Sequence, residues 1–379
     1  MNDTFEVNRK FIESIEKQSM LSVVMKLAIF LTIILSAIFG NILVIISIIK
    51  FRRLRQSNTN IFIASLAVTD LFVAIVVMPF NMILSVLNRY WPFNKYVCDW
   101  YNSNDVLFST ASLLHLCCIS VDRYIAVFSP LDYEFKMNRR KVVIMLVICW
   151  LASFLISYIP IHTGIYAQGD SKEPKQNECE FRPNQVYGII SSTVSFWIPC
   201  MVMVIIYLQI YRQAKRQSIS ILATQGTIKS PEVNLCPKGN EVSNTLKNIL
   251  MIQSKRTRLK RNLSLEKDLH KTVKMRIRKE IFKSKENKAA KTLGILMGAF
   301  LLCWLPFFLW YLTVTICTSC NYPSVIVDIL FWIGYLNSTL NPIIYAFFNK
   351  EFRRSFIRIL KCNSKSFYEK NRSFRDSLK

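Results

Sequence analysis

Three acidic side chains, Asp70, Asp105 and Asp122, lie inside long apolar stretches of this 379-residue sequence. A carboxylate surrounded by hydrocarbon is costly unless it meets a cation or another polar group. At about 1.5 Å per helical residue, Asp105 lies about 10 Å beyond Cys98, which marks the outer end of its stretch. The same rise puts Asp122 about 36 Å along that stretch and Asp70 about 15 Å into its own. Asp105 is therefore within reach of a small cation that arrives from the Cys98 end.

Hydroxyl and aromatic groups in other apolar stretches would complement such a carboxylate. Ser191 and Ser195 share a helical face, with Ser192 beside them, and their hydroxyls suit a phenol or alcohol on a ligand. Helical serines also bond their own backbone carbonyls, and a structural aspartate bonds a nearby hydroxyl, so spacing alone leaves both interpretations open. Aromatic rings can hold a cation by cation–π attraction, although helically spaced aromatics are usually core. The candidates are Trp304, Phe307, Phe308 and Tyr311.

These residues belong to seven apolar stretches, each long enough to cross a bilayer as a helix of about 20 residues. The stretches are approximately Met25–Ile49, Ile61–Leu87, Trp100–Phe128, Val142–Ile165, Val186–Tyr211, Ala289–Ile316 and Ser324–Phe348. With 52% apolar residues, the chain has too few polar side chains to cover a soluble surface. The composition also excludes a disordered chain, a collagen-like repeat and a small disulfide scaffold. We predict an all-α membrane protein with seven transmembrane helices.

The distribution of positive charge predicts the orientation. Of the 49 Lys and Arg residues, 39 lie in the segments that follow the first, third, fifth and seventh stretches. Positive charge favours the cytoplasmic side, so these segments are predicted inside and the N-terminus outside. Most of the excess positive charge that gives the chain a net charge of +25 is therefore predicted to lie at the cytoplasmic surface of the membrane. Nucleic-acid binding is not expected, because the sequence has no nucleic-acid-binding motif.

This orientation divides the chain into four parts. Residues 1–24 are predicted to be an extracellular N-terminus, and residues 25–349 to be the transmembrane domain. Within that domain, residues 214–288 form a long, basic third cytoplasmic loop that we expect to be partly disordered. Residues 350–361 alternate basic and apolar side chains at helical spacing, which predicts an amphipathic helix on membrane lipids, and residues 362–379 form a tail.

Short motifs in all seven stretches resemble those of rhodopsin-type (class A) G-protein-coupled receptors, from about Ile34 to Cys362. In chain order they are Gly40-Asn41, Leu66-Ala67-Val68-Thr69-Asp70, Asp122-Arg123-Tyr124, Trp150, Pro199 with Tyr207, Cys303-Trp304-Leu305-Pro306 and Asn341-Pro342-Ile343-Ile344-Tyr345. The middle of the third cytoplasmic loop is outside the resemblance. The resemblance implies a plasma-membrane receptor whose partners are a heterotrimeric G protein, receptor kinases and arrestin.

Within that family the chain is similar to biogenic-amine receptors, whose amine-binding aspartate matches Asp105, 17 residues before Asp122. The stretches Phe108–Tyr124, Ile190–Cys200 and Cys303–Tyr311 resemble invertebrate beta-adrenergic-like octopamine receptors. This implies octopamine as the agonist and a stimulatory G protein that raises cyclic AMP. Tyramine, dopamine, serotonin and trace amines remain alternatives. The implied ligand-binding residues are Asp105, Val106, Ser109, Ser191, Ser192, Ser195, Trp304, Phe307, Phe308, Tyr311, Trp332 and Tyr335.

The resemblance also assigns roles in switching. Arg123 is expected to pair with Asp122 and with Glu286, joining the third and sixth helices in the inactive state. Leu113, Pro199 and Phe300 match a packing switch beneath the ligand, with Leu113 in place of the usual Ile. The implied G-protein-coupling and switch residues are Asp122, Arg123, Tyr124, Tyr207, Glu286, Phe300, Asn341, Pro342 and Tyr345.

A polar cluster matches the site that holds a sodium ion in inactive receptors of this family. Oxygen-bearing side chains suit such a hard cation, and a water-filled network is the alternative. The residues are Asp70, Ser112, Asn337, Ser338 and Asn341. We expect no other cofactor.

Cysteines and modification motifs complete the predictions. The resemblance implies a disulfide between Cys98 and Cys179. The Cys317 and Cys320 pair fits a local disulfide better than a zinc or redox site, because it lies on the predicted outer side with no second pair nearby. Cys362 suits palmitoylation, and Asn2 begins a glycosylation sequon. Ser264 follows a basic kinase-type pattern.

Other classes of protein fit the sequence poorly. An enzyme is not expected, because no nucleophile–base pair, metal-ligand cluster or phosphate loop is present and the three His residues are far apart. An opsin needs a Lys in the seventh stretch, which has none. A transporter would show internally repeated halves, and a peptide receptor usually lacks the Asp105 and serine combination.

Overall fold

The computed structural model describes residues 19–130, 132–167, 178–226, 292, 294–317, 320 and 323–361. Among these residues, the β pairings are two isolated antiparallel bridges, Tyr90 with Glu178 and Ala167 with Pro183. The helices are α1 (Met20–Lys50), α2 (Asn58–Val86), α3 (Lys95–Phe128), α4 (Arg139–Thr163), α5 (Gln185–Ser192, Thr193–Trp197 and Ile198–Gly226), α6 (Gly294–Ile316), α7 (Ser324–Phe348) and α8 (Lys350–Leu360). The predicted seven-helix bundle with a short eighth helix is confirmed.

The helices α1 to α6 are each long and apolar enough to cross a membrane. Helix α7 has similar length and carries the polar residues Asp328, Asn337 and Asn341 among its apolar side chains. Large apolar side chains face outward around the bundle, as at Leu302 and Phe347, which are 77% and 71% exposed. Such a surface is stable against lipid and not against water. The chain also divides into two compact units, Met1–Leu208 with Ala290–Lys379, and Gln209–Ala289.

Asparagine side chains begin four of the helices. Asn94, Asn138 and Asn184 accept the backbone N–H three residues on at 3.0, 3.0 and 2.8 Å, and Asn349 accepts those of the first turn of α8. These caps satisfy N–H groups that have no intrahelical partner. Helices α3 and α4 therefore begin in the polar flanks, five and three residues before the apolar stretches that predicted them, and α5 begins one residue before its stretch.

Helix α3 is central and packs most extensively against α2 and α4. A buried chain of hydrogen bonds joins the three helices. The Trp150 ring N–H donates to the Ser65 hydroxyl at 3.3 Å, and that hydroxyl lies 2.7 Å from His115 Nε2. His115 Nδ1 lies 2.5 Å from the Ala111 carbonyl, which can only accept, so Nδ1 carries the proton and Nε2 accepts from Ser65. The polar side-chain groups of Trp150, Ser65 and His115 thus each have a hydrogen-bond partner.

Two helices contain a wide π turn just before a proline. Val73–Val77 precedes Pro79 in α2, and Thr193–Trp197 precedes Pro199 in α5. A proline lacks the N–H that the carbonyl four residues earlier would accept, and a wider turn is one way to relieve this. The π turns are the form that the distortion takes, and the second contains Ser195.

The Gly40-Asn41 motif lies where α1 meets α7. A Cβ at Gly40 would lie 2.8 Å from the Cβ of Pro342, so a side chain would push the helices apart. The Asn41 amide donates to the Ser338 carbonyl at 3.0 Å. We call the end of the bundle that carries Cys98 and Cys179 the disulfide end, and the opposite end the Asp122 end.

Candidate functional site

A cavity of about 920 Å³ opens among α2, α3, α5, α6 and α7 at the disulfide end. Ten of the twelve predicted ligand-binding residues line it: Asp105, Val106, Ser109, Ser191, Ser192, Ser195, Trp304, Phe307, Phe308 and Tyr311. Trp332 and Tyr335 are not on its wall. The Trp332 ring instead stacks on Phe30 of α1, with centroids 3.9 Å apart, and Tyr335 is fully buried behind Asp105.

Asp105 places a carboxylate on the α3 wall of the cavity. It is half-buried on α3 and accepts a weak hydrogen bond from the Ser109 hydroxyl at 3.4 Å. The Tyr335 hydroxyl is its neighbour and makes no hydrogen bond of good geometry with the described residues. Asp105 forms no ion pair with any residue that the structure describes. A carboxylate in this setting is ready to bind a cationic group.

Hydroxyl groups form the α5 side of the cavity. The Ser191 hydroxyl lies 3.2 Å from that of Tyr311 on α6, while Thr110 of α3 donates to Ser195 at 2.9 Å. Ser192 bonds the carbonyl of Ile189 at 3.1 Å, as helical serines commonly do. Two of the three serines therefore bond other helices, and both could exchange those partners for a ligand hydroxyl.

Aromatic rings form the α6 wall. Phe307 lies edge-on to Trp304 and Phe308, at centroid distances of 5.7 and 5.3 Å. Phe308 stacks on Phe196 of α5 at 4.3 Å, which fixes its position. Phe331 of α7 approaches Phe307 to 4.9 Å. An ammonium group and an aromatic ring can both be accommodated by such a wall.

Several cavity residues were missed by the sequence analysis. They come from α2, the turn after it, α3, the segment around Cys179 and α7. They include Asn81, Arg89, Tyr101, Thr110, Glu178, Phe181, Arg182 and Phe331. The predicted disulfide was the sequence signal that the segment around Cys179 contributes to the site. The bond to Cys98 brings Cys179 to the disulfide end of α3, beside the cavity. Thr110 had a weaker signal, since it lies only five residues after Asp105.

Two disulfides lie at the disulfide end. Cys98 bonds Cys179, across 81 residues of sequence, and Cys317 bonds Cys320. Both pairs are the ones expected from the sequence. Cys362, Asn2, Ser264 and Glu286 lie outside the described residues, so their predicted roles have no structural account.

At the Asp122 end, the Asp122 carboxylate accepts hydrogen bonds from three side chains. Asp122 is buried and accepts from Arg123 at 2.7 Å, from Thr59 at 2.7 Å and from the Tyr133 hydroxyl at 2.8 Å. Burial and the Asp122 charge raise the pKa of Tyr133 to about 12, so Tyr133 stays protonated at neutral pH and keeps donating. Tyr133 was not predicted. It ties the segment after α3, the short helix Tyr133–Lys136, to the Asp122 pair.

Several of the predicted switch residues that the structure describes lie between the cavity and the Asp122 end. Phe300 is fully buried and lies 5.9 Å from Phe196, and Leu113 is also fully buried. Tyr207 lies so close to Gly294 that a Cβ there would overlap its ring. Tyr124 packs on Phe128 at 4.5 Å.

The predicted sodium cluster is assembled around Asp70. Its carboxylate accepts from Ser112 at 3.2 Å, Ser338 at 2.9 Å and Asn341 at 2.8 Å. The side-chain amide oxygen of Asn337 is buried and has no hydrogen-bond partner among the described residues. No three His, Cys, Asp or Glu side chains group together in the described chain, so hydroxyl and amide oxygens would have to complete any metal site.

Comparison with known proteins gives a consistent set of relatives. Residues 40–345 match the family described as 7 transmembrane receptor (rhodopsin family). The chain is 43% identical over 360 residues to octopamine receptor beta-2R of Chilo suppressalis, an alignment that covers 94% of this chain and 85% of that receptor. It is 44% identical over 347 residues to octopamine receptor beta-2R of Drosophila melanogaster, covering 89% of this chain and 61% of that receptor. The D(1) dopamine receptor of Carassius auratus is 37% identical over 344 residues, with 87% of this chain and 86% of the receptor covered.

Proposed function

Because the chain belongs to the rhodopsin family of seven-transmembrane receptors, we propose that it is a receptor for a protonated biogenic amine, with octopamine as the agonist. It is a multi-pass plasma-membrane protein and not an enzyme. In the proposed orientation, the disulfide end faces the outside of the cell and the Asp122 end faces the cytoplasm. This follows from the positive charge of the segments next to the Asp122 end.

One observation carries the proposal: a single cavity has the Asp105 carboxylate on α3 and a hydroxyl cluster on α5 and α6. A protonated amine with a phenol ring has matching groups at its two ends. The ammonium pairs with Asp105, the ring packs on the aromatic wall, and the phenol hydroxyl meets Ser191 and Tyr311. A charge-assisted hydrogen bond at Asp105 is about twice as strong as a neutral one.

Octopamine is favoured over other amines for two reasons. Octopamine receptors are among the most similar relatives, at 43% and 44% identity. In addition, the hydroxyls of Ser191 and Tyr311 lie 3.2 Å apart, so this pair offers two hydrogen-bond partners at one position for a ring hydroxyl. A monophenol fills one position, whereas a catechol needs Ser195 as well. Dopamine is the second candidate, since a dopamine receptor is 37% identical.

Removing either hydroxyl of the Ser191 and Tyr311 pair should weaken the response to phenolic amines. Ser191→Ala and Tyr311→Phe each remove a hydrogen bond, and about 0.5–1.5 kcal/mol corresponds to roughly a two- to twelvefold loss of affinity. Competition binding measures this loss. Phenylethanolamine, which lacks the ring hydroxyl, is the matched ligand and should lose nothing. An equal loss for both amines would mean that these residues shape the cavity without contacting the phenol.

The Asp122 end is the proposed G-protein site. Arg123 bonds Asp122 and Thr59, and Tyr133 bonds Asp122, so these contacts join α3 to α2 and to the segment after α3. With Glu286 as the proposed further partner of Arg123, releasing Arg123 would free the cytoplasmic ends of α3 and α6 to separate. An agonist shifts this equilibrium only by binding the separated state more tightly. We propose a stimulatory G protein, with receptor kinases and arrestin acting on the activated receptor at the same end.

The Asp70 cluster is proposed to bind sodium, since its carboxylate, hydroxyl and amide oxygens suit a hard cation. Ser112, Ser338 and Asn341 would turn from hydrogen bonding the carboxylate to sharing the cation with it. Binding to the inactive state would lower agonist affinity, because coupled sites affect one another reciprocally.

Replacing K⁺ by Na⁺ at constant ionic strength should lower octopamine affinity by about fivefold, near the small end of typical couplings between sites. Asp70→Asn should abolish the difference. Competition binding in the two salts measures it. Equal affinities for the wild-type chain in Na⁺ and K⁺ would show that the cluster holds only a hydrogen-bonded network.

Cyclic AMP in cells that express the chain tests the proposed function. Octopamine, tyramine, dopamine and serotonin are titrated, and octopamine is expected to act at the lowest concentration. If dopamine acted at a lower concentration than octopamine, dopamine would replace octopamine as the proposed agonist. If octopamine raised intracellular calcium and left cyclic AMP unchanged, the proposed coupling to a stimulatory G protein would be wrong.

A further inference from the structure

An ion pair joins α2 and α7 at the disulfide end. The Arg89 guanidinium lies 2.5 Å from the Asp328 carboxylate, and the side chains are 30% and 21% exposed. Asn88 and Arg89 have φ angles of 50° and 71°, which residues other than glycine seldom adopt. The resulting turn is closed by a hydrogen bond from the Arg89 N–H to the Leu84 carbonyl at 2.8 Å. Arg89 is thus held at this position by its backbone as well as by its charge.

The ion pair lies along the path to Asp105. Arg89 lines the cavity, and Asp328 precedes Tyr335 by seven residues on α7, about 10 Å along the helix. Tyr335 is the neighbour of Asp105. A ligand that travels to Asp105 therefore passes within about one Debye length, ~8 Å at physiological salt, of the Arg89 charge.

Other charged side chains also lie near this path. Lys26 of α1 also interacts with Asp328, and its ammonium donates to the Ser85 carbonyl at 3.3 Å. Arg182 pairs with Glu180 at 2.6 Å, but these side chains are 59% and 44% exposed, so water screens them. Asp328 is thus an acid that interacts with both Arg89 and Lys26.

We infer that Asp328 determines how readily cationic ligands reach the cavity, because it neutralises Arg89 on the wall that they pass. The inference rests on the proposed function, since it concerns a positively charged agonist. Without Asp328, an incoming ammonium group would pass the Arg89 guanidinium without this counter-charge before it reached Asp105. Without Arg89, the path would be more negative than in the wild-type chain. The two halves of one ion pair should therefore have opposite effects.

The association rate of octopamine tests this inference. Asp328→Asn should slow association by roughly two- to fivefold, and Arg89→Gln should speed it by a similar factor, as expected for one charge at about 10 Å. The variant with both substitutions has the wild-type net charge and should regain the wild-type rate. The receptor is mixed rapidly with octopamine, and the observed rate of G-protein activation is plotted against octopamine concentration. The slope of this plot gives the association rate constant. Both single effects should shrink when KCl is raised at constant sodium.

Glu351→Gln is the matched control, because it breaks the Arg53–Glu351 ion pair at the Asp122 end with the same change of charge. It should leave the association rate unchanged. If the ion pair only fastens α2 to α7, both single variants and the double variant will slow association, and the inference is wrong. Should Asp328→Asn fail to reach the cell surface, Arg89→Gln decides alone: faster association supports the inference and slower association contradicts it. A wild-type chain that answers none of the four amines contradicts the proposed function and this inference together.

Discussion

Replacing Asp105 by Asn should abolish high-affinity amine binding while the receptor still reaches the cell surface. The substitution keeps the size of the side chain and removes the only charge that the described cavity offers near Tyr335 and Ser109. An ammonium group left in a partly dry cavity without its counter-ion costs about 3–5 kcal/mol. That cost corresponds to a loss of affinity of roughly two to three and a half orders of magnitude. Competition binding and the cyclic AMP response should shift together.

Ser109→Ala is the matched control for this prediction. Ser109 lies one helical turn from Asp105 and touches its carboxylate at 3.4 Å, so the variant disturbs the same place without removing the charge. It should shift affinity by less than about tenfold, as expected for one weak hydrogen bond. Wild-type affinity in the Asp105→Asn variant would remove the basis of the amine site.

Breaking the Cys98–Cys179 disulfide should cause the second large loss, in stability and in binding. The bond closes a loop of 81 residues, and a loop of this length corresponds to roughly 4 kcal/mol of stabilisation in the chain-entropy description. It also holds the segment Glu178–Pro183 against the cavity, where Phe181 and Arg182 are part of the wall. The Cys98→Ser/Cys179→Ser variant should therefore show less receptor at the surface and weaker octopamine binding per receptor.

The second disulfide provides the control. Cys317 and Cys320 are separated by three residues, so their bond restricts the unfolded chain far less. The Cys317→Ser/Cys320→Ser variant should retain most of the surface receptor and most of the affinity. Thermal inactivation of detergent-solubilised receptor ranks the variants directly. Equal losses in the two double variants would contradict the argument from loop length.

The helices were predictable because a bilayer demands long apolar segments. Their ends were not, since α3 and α4 begin at Lys95 and Arg139, in polar sequence that the Asn94 and Asn138 caps make helical. The π turn Thr193–Trp197 was also missed. Its only sequence signal is Pro199, and a proline allows a kink as well as a widened turn.

The cavity was predictable where one residue type matches one chemical need, as for Asp105 and the α5 serines. It was not predictable where contacts join distant segments. The Thr110 to Ser195 bond spans 85 residues, and the Arg89 to Asp328 pair spans 239. Periodicity places a side chain on a face of its helix but does not say which face of another helix it meets. Trp332 illustrates this, because its ring packs on Phe30 of α1 and not in the cavity.

The structure of the chain bound to octopamine and a stimulatory G protein tests the central claim most directly. We expect the ligand nitrogen at a charge-assisted hydrogen-bond distance of about 2.7–2.9 Å from an Asp105 oxygen. The phenol oxygen should lie within hydrogen-bond distance of Ser191 or Tyr311, with the ring against Phe307 and Phe308. A ligand bound outside this cavity, or one whose nitrogen points away from Asp105, would contradict the account.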